Sequence, residues 1–192
     1  MRRQNMKYGD IYNPKFLDKF GNYKTKISNI LLGMKQEIDV QAVANACNIS
    51  VKFDIVEHSG WSINNNNTNR EIIVNQFEPE YRQRFTIAHE IGHIILGHKG
   101  ISYRSDDLTK YKDTIARMNE VAANNFAAEL IMPEKLVREV LKDSIEELGY
   151  SIDQDFDEHD IEELIGSSAK KINVSKQAFD YRIRNLQVFV DE

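Results

Sequence analysis

His89, Glu90 and His93 stand in the run His89-Glu90-Ile91-Gly92-His93, two histidines four residues apart with a carboxylate beside the first. Four helical residues turn through about 400°, so the two imidazoles differ by roughly 40° around the axis and project from one face. Two imidazoles so placed can share a tetrahedral Zn²⁺. Glu90 is then positioned to take a proton from water activated by that ion. The spacing predicts a metal-dependent hydrolase. With five His and sixteen Glu in 192 residues, a shuffled chain would show this pattern about 0.01 times. The plain alternative is a helix whose histidines are satisfied by protein groups or solvent. Ile87, Ala88, Ile91, Ile94, Ile95 and Leu96 make the helix apolar almost all round, which predicts a central, buried position. Buried histidines and a buried glutamate need partners, and a metal with its water supplies them.

A catalytic zinc site needs a third protein ligand and an open position. The extended HExxHxxGxxH form is absent, because Gly97 and His98 each fall one place off the required spacing. His98 lies roughly 140° round from His93 and follows a glycine that predicts the helix end, so it reads as a helix-end histidine and not a ligand. Glu120 is the better candidate. It opens the run Asn119 to Pro133, where Ala122, Ala123, Ala127 and Ala128 favour a helix and are small enough to let it approach the first one closely. Asn124, one turn on from Glu120, is placed to hold a ligand imidazole through its second nitrogen. The ordinary role for Glu120 alone would be a helix-start carboxylate favoured by the dipole.

Gln83-Arg84-Phe85-Thr86-Ile87-Ala88-His89-Glu90-Ile91-Gly92-His93, followed by Glu120 through Pro133, resembles the ImmA/IrrE family of metallo-endopeptidases. Ile38 to Ile49 resembles the family's lead-in helix and Val174 to Leu186 its C-terminal helical segment, so the likeness covers about residues 37 to 187. The resemblance implies His89, His93 and Glu120 as Zn²⁺ ligands and Glu90 as the catalytic acid/base. It implies an α+β fold with a zincin-like core of the gluzincin type, made of a small antiparallel sheet, the HExxH helix and the Glu-ligand helix, plus a C-terminal helical extension. It also implies a substrate, an Xre-like helix-turn-helix repressor controlling a phage or another mobile element. Several relatives carry a DNA-binding helix-turn-helix ahead of the protease. Here Met1 to Gln36 has Lys or Arg at eight positions, Asp at two, and too little length for such a domain, so the expectation is a stand-alone protease with the repressor on another chain.

Three segments are expected: a basic lead over 1–36, the metallopeptidase core over 37–135 and the helical extension over 136–192. A net charge of −5 argues against nucleic acid as the main ligand. Residues 134 to 163 hold twelve acidic against three basic side chains, either a solvated surface or a patch that meets a basic protein. Cys47 is the single cysteine, excluding an intrachain disulfide, and reads as core. No run approaches about 18 apolar residues and the N-terminus lacks an apolar signal core, so no membrane association and a cytoplasmic location are expected. The main rival to the enzyme is a regulatory binding protein, or a toxin–antitoxin component, with a structural or vestigial metal site.

Asp39 is the expected cap of a helix ending near Asn48, and Ser175 of one near the C-terminus. Val51 to Val56 and Glu71 to Val74 read as strands joined across Gly60 and the Asn64 to Asn69 tract, which predicts an antiparallel hairpin. Ile72 to Asn75, just before the metal helix, is a candidate edge strand for an extended substrate. Tyr103 and Tyr111, between the two zinc helices, are candidate oxyanion donors. Ser167 to Leu186 mimics a helix-turn-helix, but with modest positive charge it reads as a packing or substrate-docking unit.

Overall fold

Asp39 Oδ1 accepts a hydrogen bond from the Ala42 amide at 2.8 Å, starting helix α4 (Val40–Ala46) as its sequence position predicts. Asn48, at φ 57°, ends that segment in the left-handed region that asparagine tolerates. The computed structural model describes residues 6–65, 69–98, 102–103 and 114–189. Ahead of α4 lie three short helices, α1 (Tyr8–Ile11), α2 (Pro14–Asp18) and α3 (Lys24–Ser28). Their charges face out, while Tyr8, Ile11, Tyr12, Phe16, Leu17, Phe20 and Ile27 sink into the common core. Rings pack edge-to-face or tilted in sequence from Tyr8 through Tyr12 and Phe16 to Phe126, with centroids 5.1–5.7 Å apart. Tyr12 donates its hydroxyl to the Leu130 carbonyl at 2.6 Å, tying this segment to the second metal helix described below.

Four strands form one sheet in the order β1–β3–β2–β4: β1 (Ser50–Asp54), β2 (Gly60–Asn65), β3 (Asn69–Asn75) and β4 (Ser102–Tyr103). The expected antiparallel hairpin between the first and last of the sequence-predicted strands is corrected here. Those strands, β1 and β3, pair in parallel, Ser50 opposite Glu71 through Asp54 opposite Asn75. The antiparallel pair is instead β2–β3, Gly60 opposite Val74 through Asn65 opposite Asn69. The sequence hides β2 because its inward position is Ser62, buried where a period-2 pattern calls for an apolar residue. A second expectation falls with the first. Ile72 to Asn75 belongs to an interior strand whose edges are both occupied, so it has no edge to offer a substrate.

Helix α5 (Glu80–Ile95) packs on β2 and β3, and its residues 86 to 94 are buried without exception. Pro79 precedes it and Gly97, at φ 71°, stops it. Helix α6 (Thr114–Ile131) lies against α5. The contact is close because Gly92 meets Ala123: a Cβ on Gly92 would stand 3.1 Å from Phe126 Cδ1 and 3.3 Å from Ala123 Cα. Helices α7 (Glu134–Leu148), α8 (Glu158–Lys171) and α9 (Lys176–Asn185) complete the chain. Ser168 donates to Ser144 at 3.0 Å inside the α7–α8 contact, and Ser175 caps α9 through the Ala178 amide at 3.1 Å. None of the twelve acidic side chains of residues 134 to 163 is buried. Among the described residues no helix is long and apolar enough to cross a membrane.

Candidate metal centre

Helical spacing on α5 and the Gly92–Ala123 approach together bring three donors into one buried cluster. His89 Nε2 and His93 Nε2 lie 3.0 Å apart, and Glu120 of α6 places Oε2 3.2 Å from the first and Oε1 3.3 Å from the second. All three side chains are buried. Burial pushes the Glu120 carboxyl up, but hydrogen bonds from both imidazoles outweigh it and hold the group well below the usual carboxylate range. Two nitrogens and a carboxylate of this kind suit a divalent metal.

The far side of each imidazole is also held. His89 Nδ1 is 3.0 Å from Asn124 Oδ1, the partner expected from the spacing on α6. His93 Nδ1 is 2.9 Å from His98 Nδ1, which the sequence did not suggest. His98 is not a donor of the cluster, in keeping with its direction on the helix. The chain turns back after Gly97, with the His98 amide on the His93 carbonyl at 3.0 Å, and this return sets the ring behind His93. Burial, then the neighbouring His93, lowers the His98 pKa and favours its neutral ring. Partners of this sort orient ligands, and losing one typically costs about 10–100-fold in metal affinity. Asn124→Ala and His98→Ala are therefore expected to reach full occupancy at saturating metal yet bind it about 10–100-fold more weakly. Competition titration against a chelator measures this, and unchanged affinity would show that neither group orients its imidazole.

Glu90 is fully buried beside the cluster. Its Oε2 accepts from Ser62 Oγ at 2.6 Å, and its Oε1 is buried with no hydrogen-bond partner among the described residues. Burial raises the carboxyl pKa, against the lowering effect of His89 and His93. Of the two candidate oxyanion tyrosines, Tyr103 is placed by its backbone only, paired opposite Trp61 in the sheet, and Tyr111 lies outside the described residues. Next to the cluster a groove of about 890 Å³ runs between α5, α6 and α9, with Phe85, Asn124, Ala128 and Tyr181 in its walls.

The model of peptidase family M78, described as the IrrE N-terminal-like domain, matches residues 47–184, well over half of the chain. The chain belongs to this family. Among curated proteins the radiation response metalloprotease IrrE of Deinococcus radiodurans is 38% identical over 73 residues, 37% of this chain. That stretch is 22% of the relative, so the chain matches about a fifth of its length. The family match begins at Cys47, so it contains α5, α6 and every residue of the cluster.

Proposed function

We propose that this member of the IrrE N-terminal-like family is a zinc endopeptidase of zincin-like, gluzincin-type architecture. We propose further that it cleaves an Xre-like helix-turn-helix repressor in the cytoplasm. The observation that carries the reading is Glu90 Oε1, a buried carboxylate oxygen with no hydrogen-bond partner among the described residues, beside a three-donor cluster. A purely structural zinc site is closed by a fourth protein ligand, whereas a catalytic one keeps a position open and a base next to it. Among the described residues the cluster has three donors.

The donor set fits the ion. Ligands at about 2.05 Å on a tetrahedral zinc are about 3.3 Å apart, close to the 3.0–3.3 Å separations of His89, His93 and Glu120. When bound, zinc lowers the pKa of water toward about 7 and polarises the scissile carbonyl. Glu90 Oε1 accepts a proton from the attacking water and passes it to the leaving amine, and its raised pKa brings it nearer the operating pH. Asn124 and His98 keep the two imidazoles turned toward the centre. The groove beside Asn124 offers apolar side chains and amides to a polypeptide, and α9, the second helix of the segment Ser167 to Leu186 that mimics a helix-turn-helix in sequence, supplies one wall.

The twelve acidic side chains between 134 and 163, all exposed or half-exposed, suit a basic DNA-binding substrate. Co-expression with a helix-turn-helix repressor encoded beside this chain, followed by mass analysis of the fragments, tests the proposal. Cleavage at a defined bond is the expected result, with an association that weakens as salt rises. An intact repressor would refute the substrate, a salt-independent affinity would refute the role of charge, and tight binding of duplex DNA by the chain alone would refute the reading in which a repressor protein, not DNA, is the partner.

A further inference from the structure

Ser62 is the residue whose presence the core does not explain. It faces inward from β2 and is almost completely buried. The interior positions of neighbouring β3 are apolar, Ile72 and Val74. A hydroxyl buried among such groups is destabilising unless it is hydrogen-bonded, and that of Ser62 donates to Glu90 Oε2 at 2.6 Å. This length belongs to an O–H donor on a charged carboxylate, the stronger class of hydrogen bond.

Two features hold that donor in place. The backbone of Ser62 is paired with Ile72 on one side and Ser102 on the other, so the strand is fixed from both edges. Gly60 lets β2 lie directly on the metal helix: a Cβ there would fall 2.5 Å from the Ile73 carbonyl and 2.7 Å from Thr86 Cγ2. Glu90 by contrast ends in a torsion with a broad minimum, and its carboxylate can rotate unless something fixes one oxygen. Fixing Oε2 determines where Oε1 points.

We infer that Ser62 is a positioning residue: by holding Glu90 Oε2 it aims Glu90 Oε1, the oxygen without a partner among the described residues, at the attacking water. The inference rests on the metallopeptidase reading. Ser62 itself takes and gives no proton in the reaction; it orients the group that does.

Acetohydroxamate is a probe that needs no knowledge of the natural substrate. A hydroxamate chelates zinc through two oxygens and shares its proton with an adjacent carboxylate, so its affinity reports both the metal and the aim of Glu90. Calorimetric titration of zinc-loaded protein compares the parent, Ser62→Ala, and the isosteric pair Ser62→Thr and Ser62→Val, which differ only in the hydroxyl. Ser62→Ala and Ser62→Val are expected to bind Zn²⁺ like the parent but acetohydroxamate about five- to tenfold more weakly, the loss of one hydrogen bond. Ser62→Thr is expected to stay near the parent. Equal acetohydroxamate affinity in Ser62→Val and Ser62→Thr, or in Ser62→Ala and the parent, would overturn the inference and leave the zinc reading standing. Loss of Zn²⁺ from Ser62→Ala would overturn it by making Ser62 a support of the metal cradle. A parent chain that binds no Zn²⁺ removes the metallopeptidase reading, and this inference with it.

Discussion

Replacing His93 or Glu120 by alanine is expected to strip the purified chain of its metal, where the parent carries about one Zn²⁺. Each contributes one of three donors that the fold brings within hydrogen-bonding distance of one another. Loss of an orienting partner costs up to about 100-fold in affinity, so loss of a ligand itself must exceed that. Glu120 has a second reason to matter. Its carboxyl is held below the usual range by the two imidazoles, so at neutral pH no proton competes with the ion for that oxygen. Removing it leaves two buried imidazoles facing each other without their acceptor, which destabilises the metal-free fold as well. Elemental analysis decides the matter: full zinc occupancy in both variants would remove these ligand assignments.

Glu90→Gln should separate chemistry from metal binding. Glutamine keeps the size of the side chain and can still accept from Ser62, but it cannot take a proton. The variant is expected to retain zinc and repressor binding while proteolysis falls about 10²–10⁴-fold, the usual contribution of a general acid/base group. Assayed beside the parent on a co-expressed repressor, activity equal to the parent would sink the hydrolytic mechanism and leave binding as the function. Loss of zinc would instead make Glu90 part of the cradle, against its geometry: it accepts a hydrogen bond from Ser62, and it stands outside the donor cluster.

Much of the centre could be read from the chain alone because it rests on short-range helical geometry. Four residues of helix align His89 with His93, one further turn aligns Glu120 with Asn124, and Gly97, Asp39 and Ser175 mark helix ends by local chemistry that needs no other part of the protein. The small residues Gly92 and Ala123 predicted nothing singly, yet the alanine-rich composition of α6 did foretell a close helix pair. Tertiary structure decided the rest. Parallel pairing of β1 with β3 depends on where a later strand inserts, and period-2 alternation carries no record of strand direction. The burial of Tyr8, Tyr12 and Phe16 from a charged segment depends on the surface of α6 that receives them. His98 reaches His93 only because the chain folds back past Gly97. Ser62 has no motif at all: its role arises from Glu90, 28 residues away, when Gly60 lets the strand settle on the helix. The candidate donors stand in local helical patterns and so were legible, whereas His98 and Ser62 reach them from segments that only folding brings together.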